Sequence, residues 1–140
     1  MKTGVLHHIE LNVSDLERSA GLWGWLLERL GYEPSDAWTG GKSWRKGDNH
    51  IILVQVQEMH RYAGYHRRRI GLCHIAFAVA TLDELNELKK DLEARNIPIL
   101  YSDKYPNASG PTHVALYLED PDRMKIELVV SAGDLSKAHR

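Results

Sequence analysis

Four residues of this 140-residue chain have side chains that could share one metal ion: His8, Gln55, His74 and Glu127. Two imidazoles and a carboxylate, with an amide oxygen nearby, suit a borderline divalent ion such as Zn²⁺, Ni²⁺, Mn²⁺, Co²⁺ or Fe²⁺. Such a set leaves coordination positions for water and substrate, as a catalytic ion requires. Each residue alone has a plainer reading. A strand histidine is more often half-buried and hydrogen-bonded, and a lone strand Glu or Gln usually faces solvent. The case for a shared site therefore rests on the elements that would gather the four.

The chain repeats itself. The stretch from Leu6 to Val13 lies over that from Leu72 to Val79 without a gap, pairing His8 with His74. Each is followed by a helix-start pattern, Ser14-Asp15-Leu16-Glu17 and Thr81-Leu82-Asp83-Glu84. In both, a hydroxyl and a carboxylate three residues on can satisfy amides of the first turn. The first helix is expected to bury Leu16, Ala20, Trp23, Leu27 and Leu30, and the second Leu82, Leu85, Leu88 and Leu92. Gly31 and Asn96 suit left-handed stops, and Pro98 blocks continuation. Lys46-Gly47-Asp48 and Asp120-Pro121-Asp122 read as hairpin turns. Laying Gln55 over Glu127 then places an insertion in the loop 101–111.

Strand, helix and three strands, twice over, predict an α+β fold of two βαβββ modules. The expected bounds are 1–60 for the first module, 61–70 for a basic linker, 71–130 for the second module and 131–140 for a C-terminal tail. Alternation then assigns faces. Ile9, Leu11 and Val13 would face the first helix, and Ile75, Phe77 and Val79 the second, turning His8 and His74 to the opposite, concave side. By the same test Ile126, Leu128 and Val130 turn Glu127 inward. Ile52, Val54 and Val56 would do so for Gln55, and Val114, Leu116 and Leu118 for His113 and Tyr117.

At these residues the sequence resembles the vicinal oxygen chelate superfamily of glyoxalases, extradiol dioxygenases, and fosfomycin- and bleomycin-resistance proteins. The matching stretches run from His8 to Ser19, from His74 to Val79, and from Glu119 through Asp120-Pro121-Asp122 to Leu128. The resemblance implies two modules related by a pseudo-twofold, forming an open, cup-shaped, eight-stranded barrel. It implies that His8, His74 and Glu127 hold one divalent ion, with Gln55 where bacterial glyoxalase I has a second Glu. It also implies a homodimer, and a metal-dependent lyase or isomerase that chelates two oxygens of a small substrate. An Fe(II) extradiol-type dioxygenase and a small-molecule or antibiotic-binding resistance protein are the alternatives.

For proton transfer, the carboxylates near that ion are Glu127 and Glu10, the latter on the His8 face of its strand. In the linker, His66 and Arg67 stand in a cationic run that could clamp an anionic substrate, although a solvated linker is the commoner explanation. Tyr101, His113 and Tyr117 are further pocket candidates, and Cys73 reads as a buried thiol. A formal charge of −1 gives no footprint for nucleic acid. Neither a leader pattern nor an apolar run of membrane-spanning length is evident, so a cytoplasmic protein is expected.

Overall fold

Both long helices begin where a short polar side chain closes the first turn. In the computed structural model, which describes residues 2–130, β1 (His8–Val13) leads into α1 (Leu16–Arg29). Asp15 caps α1, accepting the Arg18 amide at 3.1 Å. The cap therefore lies one residue beyond the expected Ser14, because the carboxylate is the stronger acceptor at a helix N-terminus. Ser14 Oγ instead accepts from the Arg18 guanidinium. In the second half Thr81 caps α3 (Leu82–Ala94) as expected, accepting the Glu84 amide at 3.1 Å. Both helices are followed by left-handed residues, Gly31 at φ 92° and Asn96 at φ 59°.

The remaining elements are β2 (Glu33–Trp38), β3 (Gly41–Lys46), β4 (Asn49–Gln55), the short α2 (Glu58–Arg61), β5 (His74–Val79), β6 (Ile99–Leu100), β7 (Ala115–Glu119) and β8 (Lys125–Val130). They form two four-stranded sheets of the same topology, β1-β4-β3-β2 and β5-β8-β7-β6. In each, the strand before the helix pairs in parallel with the last strand of the module, and the other pairs are antiparallel. The chain divides into two compact units between Gly64 and Tyr65. This is the α+β, twice-βαβββ architecture that the repeat implies. The tail at 131–140 lies outside the described residues.

Each sheet buries one face against its helix. In the first module Leu11, Val13, Ile51 and Leu53 pack with Leu22, Trp23, Leu26 and Leu27 of α1. The buried stripe of α1 is rotated from the expected one, leaving Leu16, Ala20 and Leu30 half-buried. Trp44 supplies the reason. Its indole lies so close to Gly24 that a β-carbon there would stand 3.1 Å away, which draws that side of the helix inward. In the second module Leu85, Leu88 and Leu92 pack over Leu116, Leu118, Ile126 and Leu128. Leu82, at the first helical position, is 44% exposed rather than buried.

The strand β4 corrects the alternation argument. Its pairing sets Ile51 beside Ile9, Leu53 beside Leu11 and Gln55 beside Val13, so Gln55 points to the helix side and not to the His8 face. There its Oε1 accepts the Leu16 amide and its Nε2 donates to the Ser14 carbonyl, both at 2.8 Å. Ile52 lies opposite Glu10 as Glu127 lies opposite Ala76, so Ile52 is the true counterpart of Glu127. Gln55→Ala is expected to lower stability by about 1–2 kcal/mol, through loss of two part-buried hydrogen bonds at the start of α1. Metal stoichiometry should not change. Urea unfolding and metal analysis of the same sample check both halves of that expectation.

Candidate metal centre

The second module brings three of the singled-out side chains together. His74, the first residue of β5, and Glu127, from the middle of β8, meet with Nε2 and Oε1 3.0 Å apart. The other carboxylate oxygen, Oε2, receives His113 Nε2 at 2.6 Å. Glu127 is only 5% exposed, so its charge is taken from water and each oxygen is met by an imidazole. This pairing is as close as two neighbouring ligands of one ion. Bonds of about 2.0–2.1 Å meeting near a right angle put two donor atoms about 3 Å apart. The donor types and their spacing therefore fit a divalent ion held by His74 and Glu127.

In the first module His8 opens β1 and is exposed, with its Nδ1 2.9 Å from that of His7. The His7 ring in turn stacks on His50 at 5.5 Å. Glu10 is also exposed, on the His8 face of β1. Among the described residues, no three His, Cys, Asp or Glu side chains are already gathered as a metal-binding group.

Beside His74 the second module has a cavity of about 290 Å³, lined also by Tyr101, Lys104, Ser109, Tyr117 and Lys125. Tyr117 crosses the sheet from Glu127 and shares a 2.5 Å hydrogen bond with Ser109. Burial raises the Tyr117 pKa, an effect that the Ser109 hydrogen bond partly opposes, so near neutral pH the phenol is a hydrogen-bond donor rather than a base. The Tyr101 ring meets it edge-on at 5.5 Å, and Lys125 Nζ lies 5.4 Å and 5.6 Å from the Tyr117 and Tyr101 ring centroids. Lys104, Ser109 and Lys125 were not anticipated. Lys125 could have been, since it is two residues from Glu127 on one strand and is paired with His74. Lys104 and Ser109 stand in an irregular loop, where alternation gives no guide.

The linker residues are placed differently. Arg67 donates to Glu119 Oε2 at 2.8 Å and to the Arg123 carbonyl at 3.1 Å, so it staples its segment to the β7–β8 turn and is absent from the cavity wall. His66 is exposed, and its Nδ1 accepts the Arg68 amide. Cys73 is exposed rather than buried. It precedes β5, so the alternation of that strand does not govern it.

The Glu119 carboxyl is partly buried, which alone would raise its pKa, but hydrogen bonds and charge from Arg67 and Arg123 outweigh this and lower it. A depressed pKa contributes stability above the unfolded carboxylate range, and that stability is lost as pH falls through the folded value. Arg67→Gln is thus expected to cost about 1–3 kcal/mol near neutral pH. Urea midpoints of the two proteins should draw together as pH falls below the ordinary carboxylate range of about 4 and meet only below the lowered Glu119 value.

The sequence matches the Glyoxalase/Bleomycin resistance protein/Dioxygenase superfamily over residues 5–128. The chain belongs to this superfamily. Among its relatives is the uncharacterised protein YqjT of Bacillus subtilis (strain 168), 44% identical over 89% of this chain and 97% of that protein. The glutathione transferase FosA of Serratia marcescens is 31% identical, over 91% of this chain and 81% of its own. The crystal structure of a glyoxalase candidate from Bacillus halodurans superposes with a TM-score of 0.90 at 43% identity, covering 92% of this chain and 97% of that one. The place on β4 that corresponds to Glu127 on β8 belongs to the apolar Ile52. No helix among the described residues is long and apolar enough to cross a membrane.

Proposed function

We propose that this protein is a metal-dependent lyase or isomerase of the glyoxalase type, acting on a small, oxygenated, anionic substrate. The observation that carries the reading is the buried Glu127 carboxylate paired with His74 on the wall of a lysine-bearing cavity. His74 and Glu127 would hold the ion, with His8 of the first module as third ligand and Gln55 excluded by its bonds to the start of α1. The ion, when bound, supplies electrophilic stabilisation of negative charge developing on substrate oxygen. The chain does the rest. Lys104 and Lys125 attract and orient an anionic group, and the Tyr117 hydroxyl, steadied by Ser109, donates a hydrogen bond to it. The apolar faces of Tyr101 and Tyr117 bound the cavity on one side. Glu127 and Glu10 remain the carboxylates available to move a proton.

A second reading is favoured by the relationship to the glutathione transferase FosA: transfer of a thiol such as glutathione to a small substrate at the same centre. The set His8, His74 and Glu127, without a fourth-strand ligand, suits it equally.

Metal analysis by mass spectrometry tests the shared premise. About one divalent ion per chain is expected in the wild type, and a stoichiometry near zero in His8→Ala and His74→Ala. Iron as the native ion would move the assignment to a dioxygenase. A wild type that takes up none of the five candidate ions would point to a metal-free binding protein instead.

A further inference from the structure

The hydrogen bond from His113 to Glu127 carries a role that neither reading of the reaction assigns. A carboxylate offers two oxygens to an ion and can bind through one or both. In this protein they are not equivalent: Oε1 faces His74 Nε2 at 3.0 Å, whereas Oε2 is held by His113 Nε2 at 2.6 Å. The latter is a short, charge-assisted contact to a group almost removed from solvent, the Glu127 side chain being 7% exposed. His113 is fixed at its own backbone as well. Its amide donates to the Gly110 carbonyl, and its carbonyl accepts from Asn107 Nδ2. The adjoining chain is tied by the Ala115 amide to Pro106 and by the Val130 amide to Val114. The imidazole thus projects from an anchored loop, and it is not among the cavity-lining groups.

We propose that His113 is a positioning residue for Glu127. By donating its Nε2–H to Oε2, it stops rotation of the carboxylate and presents Oε1 alone to the ion beside His74. The inference rests on the metal-centre reading above. It adds that Glu127 is a one-oxygen ligand and that the Nε2–H tautomer of His113 makes it so. Outer partners of this kind orient a ligand and tune its basicity, and their loss typically weakens metal binding by about 10–100-fold.

The test loads the full chain with Co²⁺, whose visible absorption reports coordination number, in the wild type, His113→Ala and His113→Gln. Cobalt affinity should fall by about 10–100-fold in His113→Ala. The visible absorption should also weaken, as the released Oε2 joins the ion and raises its coordination number. His113→Gln, whose amide N–H can donate to Oε2, should recover both affinity and spectrum. His113→Leu keeps bulk without a donor and replaces the alanine variant if that one unfolds. Unchanged affinity and spectrum in the donor-less variants, with cobalt still bound by the wild type, would overturn the role of His113 alone. Equal losses in His113→Ala and His113→Gln would also overturn it, since the donor would then be irrelevant. A folded wild type that binds no cobalt would sink the metal centre itself, and this inference with it.

Discussion

Glu127→Gln is expected to weaken divalent-ion binding by more than about a hundredfold, beyond the range typical for loss of an outer-shell partner, while the protein stays folded. The substitution keeps the shape of a side chain that is 7% exposed, so no cavity opens in β8. What it removes is the negative charge. A neutral amide oxygen is a poor ligand for a borderline ion beside an imidazole, and the amide nitrogen is none at all. The effect on the apo fold should be small for a separate reason. Burying a carboxylate is unfavourable in itself, and the two imidazoles only offset that cost. With glutamine, one imidazole donates to the amide oxygen and the other accepts from the amide nitrogen after a change of tautomer. Competition against a chromophoric chelator gives the affinity, and thermal unfolding of the apo protein gives the fold. A variant that binds metal like the wild type would remove Glu127 from the ligand set.

How much of this was legible beforehand follows from where each residue sits. His8 and His74 stand in a gapless repeat of two regularly alternating strands, so both their correspondence and their face could be read directly. Glu127 lies between Ile126 and Leu128, both wholly buried, so alternation gave its face correctly. Gln55 failed because β4 is apolar on both faces, from Ile51 to Val54, and such a run carries no sign. Only the pairing with β1 resolves it. Composition alone suggested Arg67 as an anion clamp, but an arginine next to a half-buried glutamate satisfies that glutamate first. Tyr117 is a pocket candidate by its strand position and Tyr101 by its aromatic character alone, whereas Lys104 and Ser109 are brought to the cavity by the loop after β6. His113 was anticipated as a substrate contact. Its hydrogen bond to Glu127 depends on a loop path that no periodicity encodes.

The second large effect concerns those lysines. Lys104→Ala and Lys125→Ala are each expected to weaken binding of inorganic phosphate by about tenfold or more, as loss of a charge-assisted hydrogen bond implies. The double variant should bind it immeasurably weakly. Phosphate is a suitable probe because it carries the charge and the oxygens but not the rest of a substrate. The two positions should differ in detail. Lys125 already lies near the faces of Tyr101 and Tyr117, so an arriving anion draws it from a weak cation–π contact worth about 0.5–1 kcal/mol. Lys104 borders the cavity from the turn Ser102–Lys104 and meets the anion with less to give up. Its removal is therefore expected to have the larger effect. Raising ionic strength should weaken phosphate binding in the wild type and do so less in either variant, since screening acts on charges that the variants lack. Glycerol, which offers vicinal oxygens without charge, serves as the control and should not distinguish the proteins. Phosphate binding that survives both substitutions would show that the cavity does not select anions. The substrate would then have to be sought among neutral, vicinally oxygenated molecules, held by Tyr117 and Ser109 rather than by charge.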